Sequence, residues 1–301
     1  NFQMRTPPPE AMQRLNTVDS QAIGMDINFI QTKALAASPS QKGFWSLGAN
    51  YYQNEHNSRI TNPNNAMFFI QNFTDIERSV LSAFAEYNFS TPLEKNKTIN
   101  WQLGLRASEI NMQAKEVGSN MVMMNPNVAM LVNSFNNADR KQDYHLVDVV
   151  LKAHVPISEH IKASLSIGQK ERAPSYNEAY SWFPLGVSAG LADGRNYIGN
   201  IDLNKETANK IDLGLQYQYG GVSVMGNVFY QEIDDYIIGT PSSSMPANMI
   251  AMMMGAQQPL QWDNSKARLY GADFYLSLKL DANWQLTTSA QWVDGKMTQA
   301  I

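Results

Sequence analysis

The sequence predicts an all-β fold, an antiparallel transmembrane β-barrel to which this chain contributes about ten strands. Three observations predict it. Apolar and polar residues alternate with period two in ten separate segments. The connections between those segments alternate strictly between short and long. On the apolar faces, large aromatics gather beside the short connections.

The segments follow in chain order. Residues 1–16 are polar and contain Pro7-Pro8-Pro9, which forbids helix or ladder and reads as the end of a loop. Ile23, Met25, Ile27 and Phe29 then alternate with Gly24, Asp26 and Asn28. After a turn around Pro39 come Trp45, Leu47, Ala49 and Tyr51. The next strand carries Leu81, Ala83, Ala85, Tyr87 and Phe89, and a short turn leads to Ile99, Trp101, Leu103 and Leu105. Residues 144–155 form the fifth strand, turned at Pro156-Ile157-Ser158 into Ile161, Ala163, Leu165 and Ile167. Two strands, 211–219 and 222–230, meet at Gly220-Gly221. Tyr270, Ala272, Phe274, Leu276 and Leu278 form the ninth, and Asp281-Ala282-Asn283 turns it into Trp284, Leu286, Thr288, Ala290 and Trp292.

Four stretches between strands, 54–77, 113–140, 172–205 and 240–264, have no clean period and read as long loops. Structureless loops beyond about 15 residues are uncommon in compact soluble domains, whereas outer-membrane barrels pair short periplasmic turns with longer extracellular loops. Trp45, Tyr87, Phe89, Trp101, Tyr217, Tyr219 and Trp284 all fall beside short turns, where an interfacial girdle belongs. The opposite faces carry Asp26, Glu86, Arg106, Asp148, Lys152, Asp212 and Lys279, as a lumen requires. Glu109 and Arg268 point outward in this register but sit near the ends of long loops, where a charge costs little. The competing reading is a soluble β-sandwich with wet edges.

Composition narrows the function. The formal net charge is -4, and no basic patch suggests nucleic acid. Charged residues make up 17%, below the roughly 25% of soluble domains. No apolar run approaches the roughly 18 residues of a spanning helix, and the mean hydropathy of -0.35 is what alternating strands average to. There is no cysteine, hence no disulfide and no thiolate metal site in this chain. The sequence opens without a start Met and stops in mid-pattern, so it reads as an internal piece of a longer protein.

Glu171-Arg172-Ala173-Pro174-Ser175 through Tyr180 resembles the R-x-P-S-x-x-E-x-Y segment of TonB-dependent outer-membrane receptors. Gly199-Asn200, Leu203, Glu206 and Ile211-Asp212-Leu213-Gly214-Leu215 are similar to that family's G-N-x-x-L-x-P-E segment and following strand, with Lys205 where the family usually has Pro. Asn227 to Tyr230 and Asp234-Asp235-Tyr236-Ile237 resemble its next strand, in which the two aspartates mark the exit from the membrane. Within the family the chain is most like the copper-receptor branch. That likeness rests on Tyr197-Ile198-Gly199-Asn200-Ile201-Asp202-Leu203, on Ala267-Arg268-Leu269-Tyr270-Gly271 and on methionine-rich loops. The resemblance implies a plugged barrel of about 22 strands. Residues 1–301 would be part of its barrel domain, with the N-terminal plug and the remaining strands absent from this chain. It further implies no catalysis, TonB as partner through the absent plug, and a site in the outer membrane of a Gram-negative bacterium, in contact with its lipid.

The chemistry that is present is thioether chemistry. The chain has 16 methionines. Met121, Met123 and Met124 cluster in one long loop, and Met249, Met252, Met253 and Met254 in another. Thioether sulfur is a soft, neutral ligand that suits Cu(I), and M-x-M and M-x-x-M spacings let neighbouring sulfurs converge on one ion. These seven are the candidate metal ligands. The alternatives are loop packing by flexible side chains and an adaptable surface for a hydrophobic ligand. His56, His145, His154 and His160 show no ligand-pair spacing, and His56 reads as a solvated loop residue. No nucleophile elbow and no phosphate-binding glycine loop occurs, and no cofactor is expected.

The expected function is TonB-dependent active uptake of a scarce ligand, with copper ion as the transported species favoured. The same-class alternative is a receptor for a ferric siderophore or another metal chelate, served by loop aromatics such as Tyr176, Tyr180, Trp182, Phe183 and Tyr197. The different-class alternative is a passive porin-like barrel.

Overall fold

A computed structural model of the chain describes residues 14–31, 35–38, 41–94, 97–184 and 194–298. All ten expected strands are present, in the expected order: β1 (Leu15–Ile30), β3 (Gln41–Asn62), β4 (Asn65–Glu94), β5 (Lys97–Gln113), β6 (Lys141–Pro156), β7 (Ile161–Arg172), β9 (Glu206–Tyr219), β10 (Val222–Pro241), β11 (Leu260–Lys279) and β12 (Gln285–Met297). Two short strands are added. β2 (Leu35–Ser38) pairs with β3, and β8 (Tyr197–Ile198) runs parallel to the start of β11. The ten long strands pair antiparallel, each with its neighbour in the order β1-β3-β4-β5-β6-β7-β9-β10-β11-β12. Among the described residues, β1 and β12 are the ends of that path. The triple proline and Pro39 lie outside the described residues.

The short connections behave as expected. Gly220 and Gly221 both have positive φ, 56° and 85°, as a two-residue hairpin turn matched to strand twist requires. Beside the short turns the expected aromatics form a continuous stack across β3, β4 and β5. Trp45 lies 4.5 Å from Tyr87, Tyr87 lies 5.2 Å from Phe89, and Phe89 lies 6.1 Å from Trp101, all near parallel. The Trp101 indole N–H donates to Thr91 Oγ1 at 2.9 Å.

On the inner face, Glu86, Arg106, Asp148, Lys152 and Asp212 line one concavity of about 480 Å³. Arg106 donates to Asn50 Oδ1 at 3.1 Å and to the buried Ser82 Oγ at 3.0 Å. On the outer face, Leu103, Leu105, Val147, Val149, Leu151, Leu213 and Leu215 stand exposed side by side, in the register of the β5–β6 and β7–β9 pairings. An apolar outer wall over a polar inner wall is the polarity of a strand with lipid on one side and water on the other.

The long-connection end differs from expectation in three ways. First, 54–77 is not a loop: β3 and β4 run on through it as a hairpin, turned at Asn62-Pro63-Asn64, where the Asn64 N–H donates to Asn62 Oδ1 at 2.8 Å. Its period is hidden by register shifts near His56, Ser58 and Thr61. Second, the strand expected over 222–230 does not stop there, and Asp234-Asp235 lies within it. The pair forms a bulge in β10, with Asp235 at φ 54°, and the strand continues to Pro241. Third, the other three stretches hold helices. α1 (Pro126–Asn137) is capped by Asn125, whose side chain accepts from the Asn127 N–H, and has Pro126 in its first turn. α2 (Tyr176–Tyr180) opens with a capping box between Ser175 and Glu178. α3 (Met245–Met253) presents Ala247, Ile250 and Ala251 to the interior.

These helices close over the strand ends and make the main hydrophobic core. It combines Ile60, Ile70, Phe73 and Ile76 of the β3–β4 hairpin, Ile110 and Met112 of β5, Tyr144 and Leu146 of β6, the apolar face of α1, and Tyr180, Trp182 and Phe183 after β7.

Candidate functional site

One guanidinium ties the loop segments to the strand ends. Arg172 at the end of β7 donates from Nε and Nη2 to both oxygens of Glu206, at 2.7 and 2.8 Å. From Nη1 and Nη2 it donates to both oxygens of Glu178, at 2.8 and 3.2 Å. Glu178 Oε2 also accepts from the Ser175 N–H at 2.7 Å, and Glu206 Oε1 from the Ile237 N–H at 2.8 Å. One side chain thereby ties β7, α2, β9 and β10 together. Its hydrogen bonds with Glu206, more than any other contact, raise the Arg172 pKa above its ordinary value.

Tyr180 completes the clamp. Its ring is 1% exposed, and its hydroxyl lies 2.9 Å from Arg140 O and 3.1 Å from Met112 O. The Tyr144 hydroxyl donates to Leu203 O at 3.0 Å. Burial pushes both phenols up, Tyr144 to about 12. Gly199 has to be glycine, because a Cβ there would come within 2.6 Å of Ala179 O and 2.7 Å of Ser181 N. That close approach lets the Gly199 N–H reach Ser181 O at 2.7 Å and the Asn200 N–H reach Glu178 O at 2.9 Å. The R-x-P-S-x-x-E-x-Y and G-N-x-x-L segments are therefore two halves of one interlock.

Several expected site residues prove to be structural. Tyr180, Trp182, Phe183 and Tyr197 are buried. The Trp182 N–H donates to Gln71 O at 2.9 Å, and Tyr197 stacks on Trp262 at 4.7 Å. His56 is not a solvated loop residue. Its ring is buried between Tyr176 at 4.7 Å and Phe73 at 5.7 Å, and burial lowers its pKa. Among the described residues, no three His, Asp or Glu side chains are grouped to hold a metal ion.

The methionines are placed otherwise. Met121 packs against the loop core. Met123 is 96% exposed and Met124 75%; both stand at the 3-10 turn Asn120–Met123 that precedes α1. Met249, Met252, Met253 and Met254 are exposed on α3 and its C-terminal end. α1 and α3 pack against each other, and the Asn125 side-chain amide lies 3.7 Å from Met253 Sδ. Two segments far apart in the chain thus present their sulfurs on neighbouring surfaces. Sequence reading missed this neighbourhood, because the Asn125–Met253 contact joins residues far apart in the chain.

A groove of about 360 Å³ opens nearby, between the second half of α1, Asn200 to Asp202 and Ser243-Ser244. Hydroxyls and carboxamides line it together with Phe135, Trp182 and Ile198. Among the described residues, Asp202 is the one ionisable side chain in that lining.

A family model described as TonB-dependent receptor-like β-barrel matches residues 6–300. The chain belongs to the TonB-dependent receptor β-barrel family. No curated protein matches it. Among solved structures, "Copper transporter OprC" is 18% identical, with a TM-score of 0.69 over 99% of this chain and 42% of that one. Ferric citrate transporter FecA, in its unliganded form, is 11% identical, with a TM-score of 0.61 over 94% of this chain and 37% of that one. A double mutant of Serratia marcescens hemophore receptor HasR, in complex with its hemophore HasA and heme, is 14% identical; its TM-score is 0.58 over 93% of this chain and 42% of that one. At these identities the likeness is one of fold. The chain spans less than half the length of each. Members of the TonB-dependent receptor family are outer-membrane barrels of Gram-negative bacteria, receptors and transporters rather than enzymes.

Proposed function

We propose that this chain is part of the barrel of a TonB-dependent outer-membrane transporter that takes up copper, with the methionines around α1 and α3 as its outer capture surface. In this reading a plug domain and further strands, outside residues 1–301, complete the barrel, and TonB drives uptake through the plug. The observation that carries the reading is the meeting of the two methionine segments, with Asn125 3.7 Å from Met253. Met123, Met124, Met252 and Met253 are largely exposed there, so their sulfurs are available to a soft cation. The fold likeness to a structure titled copper transporter supports the same ligand. Copper is cargo here, and no covalent step is required of the protein.

A second reading, uptake of a metal chelate, is favoured by the groove beside α1. Its lining of hydroxyls and amides over apolar side chains is the composition of small-molecule sites.

The deciding experiment is metal binding by the full-length protein in detergent, copper against iron and zinc. It is repeated after Met121, Met123, Met124, Met249, Met252, Met253 and Met254 are replaced by Leu. Copper binding that weakens in the variant supports capture by the loops. Unchanged copper binding puts the site elsewhere, and absence of copper binding turns the choice to the chelate.

A further inference from the structure

We propose that the exposed methionines of these two segments are an oxidant-sensitive modification site, whose conversion to sulfoxide switches off the soft-metal surface. The switch rests on the copper reading above; the selectivity of the modification does not.

The selectivity follows from placement. Met123 is 96% exposed, Met124 75%, Met253 66% and Met252 62%, whereas Met112 is 1% exposed in the loop core. Met121, two residues before Met123, packs against that core. A water-borne oxidant therefore meets these four sulfurs, along with those of the equally exposed Met67 and Met245, and is screened from the core Met112. The chain has no cysteine to intercept it, which leaves thioether as the oxidisable sulfur.

The step balances with a peroxide as oxidant. A sulfur lone pair attacks the terminal peroxide oxygen, the S–O bond forms and the O–O bond breaks. The departing hydroxide takes the proton from the transferred oxygen and leaves as water. Sulfur is oxidised by two electrons, and the peroxide is reduced by two.

The consequence differs between the two sets. Sulfoxide in a core brings a polar oxygen among apolar neighbours and disrupts packing. At Met123, Met124, Met252 and Met253 the new oxygen faces water, so the fold tolerates it. The ligand does not survive as such, because a soft thioether has become a harder oxygen donor that Cu(I) disfavours. Asn125, already 3.7 Å from Met253 Sδ, offers its N–H to the new oxygen. The modification is chemically reversible by methionine sulfoxide reductases of both epimer classes.

The test treats full-length protein in detergent with dilute hydrogen peroxide and follows each methionine by peptide mass spectrometry. Near-ultraviolet circular dichroism and Cu(I) affinity are read on the same samples. The expected result is that Met123, Met124, Met252 and Met253 convert about tenfold faster than Met112, with tertiary signal retained. Cu(I) affinity should fall about tenfold and return after treatment with both reductases. Conversion of Met112 as fast as the exposed four overturns the modification site. Loop-dependent copper binding that persists after full conversion overturns the switch alone. Copper binding absent before oxidation, or unchanged in the seven-fold Leu variant, overturns the copper reading and the switch with it, whatever the sulfoxide pattern.

Discussion

The membrane band and the loop core are built on the same strands with opposite polarity. Along β5, Leu103 and Leu105 face out and Gly104 and Arg106 face in; a few residues later Glu109 and Asn111 face out while Ile110 and Met112 are buried inside. β6 inverts between Leu146, which is buried, and Val147, which is exposed. β10 inverts just before its bulge: Val228 and Tyr230 are exposed, and Ile233, on the same face as the inward Gln231, is buried. One alternation thus serves two solvents. Where lipid surrounds the barrel, apolar side chains belong outside. Where water surrounds it, they belong inside, and the helices of the long connections cover them.

The sharpest way to break this contrast is to remove the centre of the upper core. Tyr180→Ala deletes a ring that is fully buried and the hydroxyl that meets Met112 O and Arg140 O. A loss of about 3–5 kcal/mol is expected, confined to the loop region. Hydrogen exchange should show α1 and α2 amides losing protection while the strand amides between Leu103 and Val149 keep theirs.

Next in size is the band. Leu105→Lys puts a charge on the lipid face and should destabilise folding into bilayers by about 2–4 kcal/mol. Asn111→Lys, on the same face of the same strand but above the inversion, should cost about nothing. Denaturant titration of the full-length protein in lipid vesicles compares the two, and equal effects would dissolve the contrast.

The clamp comes third. Arg172→Ala leaves the largely buried Glu178 and Glu206 carboxylates facing each other. Because the Arg172 side chain is itself 45% exposed, solvent screening reduces the loss to about 2 kcal/mol. Arg172→Lys should recover only part of it, since an ammonium cannot fork two carboxylates. Limited proteolysis after α2 reads the difference.

The smallest effect is alkaline. Tyr144 and Tyr180 have raised pKa values in the folded protein, so folding favours their protonated forms. Their contribution is fully present below about pH 10, the ordinary phenol value, and is lost as pH rises through the higher folded values. Protection of the loop core should fall in that window while the band is unaffected.

The same contrast explains what could be read from the sequence. The ten strands were legible because the band imposes strict period two, as in Leu103 to Arg106 or Ile211 to Leu215. The outward setting of Glu109 and Arg268 followed from the same register. The hairpin at 54–77 was hidden because bulges near His56 and Thr61 break the period and the apolar side changes face. Burial of His56 depends on Tyr176, which arrives from a distant loop. Ser175-x-x-Glu178 and Asn125-Pro126 are helix-start signals, but both stretches read as loops, because a start signal alone does not set how far a helix extends. The clamp motif was recognisable as a pattern, but its physical meaning needed Glu206 brought beside Arg172. The neighbourhood of the two methionine segments was not legible, since no local pattern connects Asn125 with Met253.

The most direct test of the polarity inversion is spin-label accessibility along the outer face of β5. The chain has no cysteine, so single replacements Leu103→Cys, Leu105→Cys, Glu109→Cys, Asn111→Cys and Gln113→Cys each mark one position on it. In the full-length protein reconstituted into bilayers, labels at 103 and 105 should respond to oxygen and be shielded from a polar nickel relaxant. Labels at 109, 111 and 113 should show the reverse. A uniform response along the strand, or oxygen dominance persisting through 113, would contradict the account.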